Sequence, residues 1–442
     1  MRRITGGDED EGCGRAAARP YIGRHFIARP CRRKASALRL RNRISVVCIG
    51  IAFAAIRAGA ATLPGFSVQQ VAVTSGFCSA LALDSHGILY YTTTSGDLFR
   101  VDSLGASTKV AHVATEFVGN SGLLGMALAD DATAVVHYTT PGPTAEVISK
   151  IDLASGKERV LARIWDDAEM AGRAVPSEHH GGTPAVGDNG SVWVGIGDFG
   201  TFLIASQPQW VAGKILRIDP NGDVTQIASG FRNPFGIAWD PAGGRLIVAD
   251  NGDVADDEIN VVTAAGGFYG WPFTMGTETP YPGAIPPIYV FPKVVAPTGM
   301  TRLSGQNPIL RSGYLLGGFV SKALHYIPDI DARPLPDPIA LVSRETGPII
   351  DVAEGPGGAI FFATGSAIYR LNVPARGDCN GDGLVNVADL AALDAEIARG
   401  EHSVFTSTAS WGCDVNGDGV ISAADRDALL AMLHLRTLAV RK

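Results

Sequence analysis

Four short stretches in the middle of the chain concentrate residues able to do chemistry. In Glu178-His179-His180-Gly181-Gly182 two histidines stand beside two glycines just ahead of an apolar strand, and Ile196-Gly197-Asp198-Phe199-Gly200 ends the next one. A strand pair folding back on itself would bring Asp198 close to His179. A carboxylate bonded to one imidazole nitrogen fixes the tautomer and makes the other nitrogen a better base; the bland alternative is a solvated loop histidine. In Gly230-Phe231-Arg232-Asn233-Pro234-Phe235-Gly236 an arginine is held stiffly, placed to bind a carboxylate, to polarise a carbonyl, or only to cap backbone carbonyls. Residues 250–260 (DNGDVADDEIN) pack five acids into nine positions. Such acids repel one another unless a cation sits among them, and hard oxygen donors in a turn suit calcium; a solvated acidic loop is the alternative. Phe268-Tyr269-Gly270-Trp271-Pro272 is an aromatic cluster suited to packing or to stacking on a sugar ring.

A second chemistry lies near the C-terminus. Residues 378–389 (DCNGDGLVNVAD) place Asp378, Asn380, Asp382, Asn386 and Asp389 at positions 1, 3, 5, 9 and 12 of a loop. Leu384 offers its carbonyl at position 7, and Gly383 sits at position 6, where the chain must turn sharply. This is the pattern of an EF-hand calcium loop. Residues 414–425 (DVNGDGVISAAD) repeat it with Asp414, Asn416, Asp418, Val420, Ser422 and Asp425. Each loop runs into a helical pattern, with Leu390, Leu393 and Ile397 on one face and then Leu429, Leu430 and Leu433. A calcium loop ahead of each helix lets such a pair fold on binding metal.

The elements that must carry the first group recur along the chain. From about residue 66 to 373 an apolar strand leads into a turn, then a second strand, a polar step and a third strand. SALALDSHGILYYTTTSGDLFRVD (79–102) and FGIAWDPAGGRLIVADNGDVADDEINVV (235–262) are clear copies; 124–153 and 298–327 are weaker ones. The turns fall near Asp84, Asp130, Asp188, Asp240, Gln306 and Gly355. A period of roughly 50 residues with several strands per unit predicts propeller blades, and six units close one ring. A sandwich would not repeat one unit six times, and a β-helix repeat would be shorter. The abundance of glycine, 54 residues, with only 18% charged residues agrees with short strands and tight turns. The expected fold class is therefore all-β, a six-bladed β-propeller over residues 66–373. A small α-helical, EF-hand-like calcium-binding domain follows over 377–436.

Charge and targeting bound the partners. Residues 1–60 hold thirteen Lys/Arg and four Asp/Glu, a surplus of nine positives in a chain of net charge −7, so the rest carries −16. An acidic protein of this kind lacks the basic face that nucleic acid needs. The apolar run 44–56 (ISVVCIGIAFAAI) follows a basic stretch and precedes Ala58-Gly59-Ala60, the layout of a secretory signal. It is short of the about 20 residues that span a bilayer. The expectation is an N-terminal extension and signal over 1–60 and no membrane span after cleavage. The mature protein is then secreted, periplasmic or held at the cell surface. Of six cysteines, Cys13, Cys31 and Cys48 would leave with the signal. Cys379 and Cys413 flank the calcium loops and are candidates for a disulfide, and Cys78 reads as a small buried hydrophobe.

Taken in order, the central motifs resemble the glucose/sorbosone dehydrogenase family. Its members use pyrroloquinoline quinone (PQQ) and calcium on a six-bladed propeller. Gly119-Asn120-Ser121-Gly122-Leu123-Leu124-Gly125 is similar to its G-x-x-G-L-L-G loop, and His179 to Gly182 to its H-x-G-G. Gly197-Asp198 matches its later G-D, Arg232 to Gly236 its R-N-P-x-G, Asp257 to Asn260 its D-E-I-N, and Tyr269 to Pro272 its Y-G-W-P. The resemblance implies that His179 takes a proton from the anomeric hydroxyl of an aldose and that Asp198 holds its tautomer. It implies that a hydride passes from C1 to the quinone, giving a lactone, while Arg232 stabilises developing negative charge. Asn120, Arg232, Asn233, Asn251 and Lys322 would contact the cofactor. Carbonyls of Gly252 and Asp253 would ligate a calcium beside it, with Asp257, Glu258 and Tyr269 building or supporting calcium sites nearby.

There are departures. Two arginines that hold PQQ carboxylates in the family precede an Asp-Val in the last blade; here the stretch reads Gly347-Pro348-Ile349-Ile350-Asp351-Val352. Thr183-Pro184 replaces Arg-Leu, and Arg344 lies near the gap. Two expectations therefore stand: a PQQ- and calcium-dependent sugar dehydrogenase, or a non-catalytic propeller that binds carbohydrate or protein and has lost PQQ. The C-terminal pair resembles type I dockerins, which implies docking to a cohesin-like partner. Loop positions 10 and 11 are apolar here (Val387-Ala388 and Ala423-Ala424), so a purely structural calcium clip is the alternative.

Overall fold

The computed structural model describes residues 61–142, 145–165, 178–343 and 347–434. The basic N-terminal stretch with Arg32-Arg33, the apolar run 44–56, Ala58-Gly59-Ala60, Cys13, Cys31, Cys48, Arg344 and positions 435–436 lie outside the described residues.

Six antiparallel sheets follow one another along the chain. The first two take four strands each, from residues 78–112 and 123–165. The third runs over 185–229 and gains Gly267–Phe268 as a parallel edge. The fourth runs over 234–263 and gains Tyr289–Val290. The fifth runs over 297–343 and gains Ala61–Thr62. The sixth takes its three inner strands from 349–372, and its outermost strand is Ser67–Val73, paired antiparallel with Ala367–Asn372. The N-terminal strand thus finishes the last sheet, and the innermost strands touch one another around a closed circuit. This is a six-bladed β-propeller. Ring closure is how such short sheets bury both faces, and it explains runs such as Leu89–Thr93, buried at every position.

The turns read from the sequence fall where the two inner strands of each blade meet. Asp84 shows why its residue type suits the place. One carboxylate oxygen accepts the backbone N–H groups of His86 and Ile88 at 2.9 and 2.8 Å, and Gly87 supplies the left-handed φ of 81° that ends the turn.

The C-terminal module carries helix α1, Asp389–Ile397, and helix α2, Ala423–Met432, each opening directly from its loop. Two short strands, His402–Ser403 and Val420–Ile421, pair beside them. Leu393 and Leu429 are fully buried, as the helical pattern predicts. Their core is continuous with that of the last two blades. Trp411 stands edge-on to Phe66 at 5.4 Å and to Phe405 at 5.1 Å, and packs against Tyr326 at 6.0 Å. The expected Cys379–Cys413 disulfide is corrected here: both are buried free thiols lying side by side, with Cys413 Sγ 3.9 Å from the Cys379 carbonyl. Cys78 is buried, as a small hydrophobe would be.

Candidate functional site

The loop bearing His179 and the strand end bearing Asp198 cross backbone against backbone. A Cβ on Gly181 would lie 1.9 Å from the Gly195 carbonyl, and one on Gly197 would lie 2.0 Å from the His179 carbonyl. Only glycine permits that approach, and it forces His179 itself into the left-handed region at φ 56°. The outcome is a short bond: His179 Nδ1 to Asp198 Oδ1, 2.6 Å. Asp198 is 1% exposed and accepts two further donors, Gly200 N at 2.8 Å and the Trp271 indole Nε1 at 2.8 Å. With Nδ1 engaged, the tautomer that donates to Asp198 leaves Nε2 as the basic nitrogen.

Arg232 and Asn233 are fixed from beneath by Asp250, whose two oxygens accept their backbone N–H groups at 2.9 and 2.6 Å. Burial, and then the nearby Glu258, push the Asp250 carboxyl well above the usual carboxylate range. The Arg232 guanidinium lies 5.7 Å over the Trp271 ring and donates to the Asn251 carbonyl and to Asp253 Oδ1, both at 3.3 Å. Asn233 Oδ1 accepts the N–H of Gly181, tying this segment to the histidine loop. His179, Arg232, Asn120, Asn233, Asn251, Gly252, Asp253 and Asp257 line one cavity of about 240 Å³. Asp198 stands behind His179, outside that lining.

Three expected positions lie elsewhere. Lys322 lines another cavity, of about 640 Å³, with Lys293 and His325; Val294 borders both. Glu258 and Tyr269 lie by the Thr274–Pro287 part of the insertion; Glu258 accepts from Gly276 N and Asn260 Nδ2, and Tyr269 donates to the Val261 carbonyl at 2.7 Å. Asp257 borders the cavity, yet its oxygens are filled by three backbone N–H groups, those of Gly252, Val295 and Ala296. It pins the rim from the inside. Among the described residues no three His, Cys, Asp or Glu side chains converge in the manner of a metal site, so a calcium here would rest on carbonyls and amides.

The two C-terminal loops have that mixed donor character. Asp389 accepts N–H bonds from Cys379, Asn380 and Asn386, and Asp425 does the same from Asn416 and Ser422, so position 12 clasps each loop to its helix. Asp378 and Asp414, at position 1, are buried, and Asp414 Oδ1 is a buried oxygen with no hydrogen-bond partner. Burial raises the Asp414 carboxyl. A buried carboxylate oxygen without a donor fits a cation.

Two features had little signal in the sequence. Trp271 was visible only as part of an aromatic cluster, and its indole bond to Asp198 is tertiary. Glu146 is the other, an acid near the start of the strand Ala145–Asp152. It is fully buried and bonded to His180 Nδ1 at 2.6 Å and His137 Nε2 at 3.1 Å, so it anchors the histidine loop from below. Burial alone raises its carboxyl, but His180 and His137 outweigh that and hold it at about 2.

A closed six-sheet ring with this histidine–aspartate pair at a cavity on it, followed by paired calcium-type loops, defines the class: a six-bladed propeller joined to an EF-hand-like module. The chain belongs to the glucose/sorbosone dehydrogenase family, whose description matches residues 79–371, and a dockerin type I domain matches 376–434. It is 26% identical over 227 residues to quinoprotein glucose dehydrogenase B of Acinetobacter calcoaceticus, covering 41% of this chain and 47% of that protein. It is also 26% identical over 210 residues to an uncharacterized protein of Synechocystis, covering 41% of this chain and 49% of that one. The chain thus spans about half the length of the curated relatives it matches. In fold it is similar to the PQQ-bound aldose sugar dehydrogenase of Streptomyces coelicolor (TM-score 0.60, 24% identity, 71% of this chain and 99% of that one). The aldose sugar dehydrogenase of Escherichia coli in its apo form is similar as well (TM-score 0.60, 19% identity, 70% and 99%).

Proposed function

We propose that the propeller oxidises an aldose at C1 to the lactone, as an exported protein tethered through its C-terminal module. The observation that carries this is the His179–Asp198 bond of 2.6 Å at the edge of a cavity that Arg232 also lines. His179 Nε2 takes the proton of the anomeric hydroxyl. Asp198 holds the tautomer and stabilises the imidazolium that forms. Arg232 favours the negative charge that develops on the sugar oxygen as its proton leaves. Asn120, Asn233 and the Gly252–Asp253 rim orient the ring, and calcium held by the rim carbonyls would add Lewis-acid polarisation. Calcium in the two C-terminal loops would order the module for a cohesin-like partner.

PQQ is the cofactor named with the Streptomyces coelicolor structure and with the pyranose dehydrogenase of Coprinopsis cinerea. It carries three carboxylates. Among the described residues lining this cavity and the one beside it, Arg232 is the only arginine or lysine, and it is already engaged by Asp253. The residues present therefore do not fit a tricarboxylate, and no step is routed through it.

The test is dye-linked oxidation of a panel of aldoses by calcium-loaded protein with a quinone supplied. Lactone should form with at least one aldose, and His179→Gln should abolish it. A folded protein that oxidises no aldose with any acceptor would leave the binding-propeller reading.

A further inference from the structure

We propose that the larger cavity beside the His179–Arg232 pocket is the seat of an uncharged planar quinone, the hydride acceptor of the reaction proposed above, on which this inference rests. The cavity measures about 430 Å³, and its apolar walls are Phe77, Phe117, Leu124, Phe235, Phe319 and Ile350. It shares Asn120, Asn233, Asn251 and Ala296 with the polar pocket, so the two lie side by side.

The division of chemistry between them assigns the occupants. A sugar brings several hydroxyl groups, and the groups that can answer them, His179, Arg232 and Asp253, all line the smaller pocket. The larger one offers aromatic faces and few polar atoms. Among the described residues, its walls hold no lysine or arginine. Lys322 and Lys293 line another cavity. A carboxylate pressed against these phenylalanines would lose its hydration with no cation in return, which is strongly unfavourable. An uncharged ring would instead cover Phe77, Phe117 and Phe319, which stand 47%, 55% and 44% exposed around the mouth. A cluster of bare aromatic rings at a cleft marks a surface that a ligand covers.

The step balances. The sugar loses its O–H proton to His179 and its C1 hydride to the quinone, and a C=O bond forms at C1. The quinone gains the hydride and, from His179 or solvent, one proton, and leaves as the hydroquinone.

Equilibrium dialysis of the full-length, calcium-loaded protein against menadione and against PQQ tests the assignment. Menadione is expected to bind in the micromolar range, and PQQ at least tenfold more weakly. Ile350→Arg should strengthen PQQ binding at least tenfold and weaken menadione. Phe319→Lys makes the same test at an exposed position where folding is not at risk. PQQ binding tighter than menadione in the unaltered protein, or the same preference in both variants, would overturn the proposal, as would failure of either quinone to bind. The two readings fail separately. If menadione binds and no aldose reduces it, the oxidation reading falls and the cavity assignment stands. If aldose oxidation runs only with PQQ, the assignment falls and the oxidation reading stands.

Discussion

Asp198→Asn separates the two tasks of the buried carboxylate. The asparagine oxygen can stay where Oδ1 is and go on accepting from His179 Nδ1 and Gly200 N, the two donors on that oxygen. Its NH₂ then faces the Trp271 indole N–H, which the wild-type Oδ2 accepts at 2.8 Å. A donor set against a donor leaves one buried N–H unsatisfied, about 1–3 kcal/mol of stability. That corresponds to a fall in Tm of about 2–4 °C per kcal/mol in a domain of 150–250 residues, and less in a longer chain. The second loss appears only as the imidazolium forms. A charge-assisted bond of about 1.5–3 kcal/mol becomes a neutral one of about 0.5–1.5 kcal/mol, a loss of about 1–1.5 kcal/mol, which at 1.36 kcal/mol per decade lowers kcat by roughly 5- to 13-fold. KM should stay within about threefold, a factor worth less than half a decade of that scale, because Asp198 does not line the cavity. The assay is steady-state aldose oxidation beside a thermal melt. A folded variant whose kcat is unchanged, or whose loss lies wholly in KM, would refute the orienting role.

Other consequences concern stability. Trp411→Ala removes the aromatic anchor between the module and the last two blades; truncating a buried Trp typically costs about 3–5 kcal/mol, and the loss should appear in a single shared unfolding transition. Calcium chelation should lower the same transition, and a propeller melt that ignores both would show that the shared core does not couple them. Asp351, buried on the innermost strand of the last blade, is pushed up to about 7 by burial, from 3.8. The folded state holds its proton where the unfolded state has lost it. Its stabilising contribution is therefore complete below about pH 4, falls as pH rises, and is gone above about 7. Denaturant titrations across that range should show this slope, and Asp351→Asn should remove Asp351's share of it.

Much of the ring was legible because its signals are local. Each inner turn lies where its Asp, Gln or Gly falls; Asp84 and Asp130 accept N–H groups of their own hairpin, whereas Gln306 accepts from Gly357 of the next blade. The borrowed strands were not legible. Nothing in Ala61–Thr62 or Gly267–Phe268 says which sheet it will join, because that pairing spans long stretches of chain. At the site, the His179–Asp198 partnership could be read from a strand pair folding back, while the glycines that let the two backbones cross showed only in the structure. What the acid run could not show is where each oxygen turns: those of Asp257, expected by resemblance to build or support a calcium site, accept three backbone N–H groups, which sequence cannot count. Lys322, expected at the cofactor, lines a cavity other than the one at His179, and Val294 borders both.

The strand Ser67–Val73, completing the sixth blade, ties the beginning of the propeller to its end. A nascent or translocating polypeptide therefore cannot lock the circle until position 372 has emerged, and until then an unpartnered sheet margin is bare to neighbouring molecules. Clipping off the first dozen residues after 60 would leave that margin permanently open, so shortened versions of this protein are expected to clump rather than circulate as soluble monomers.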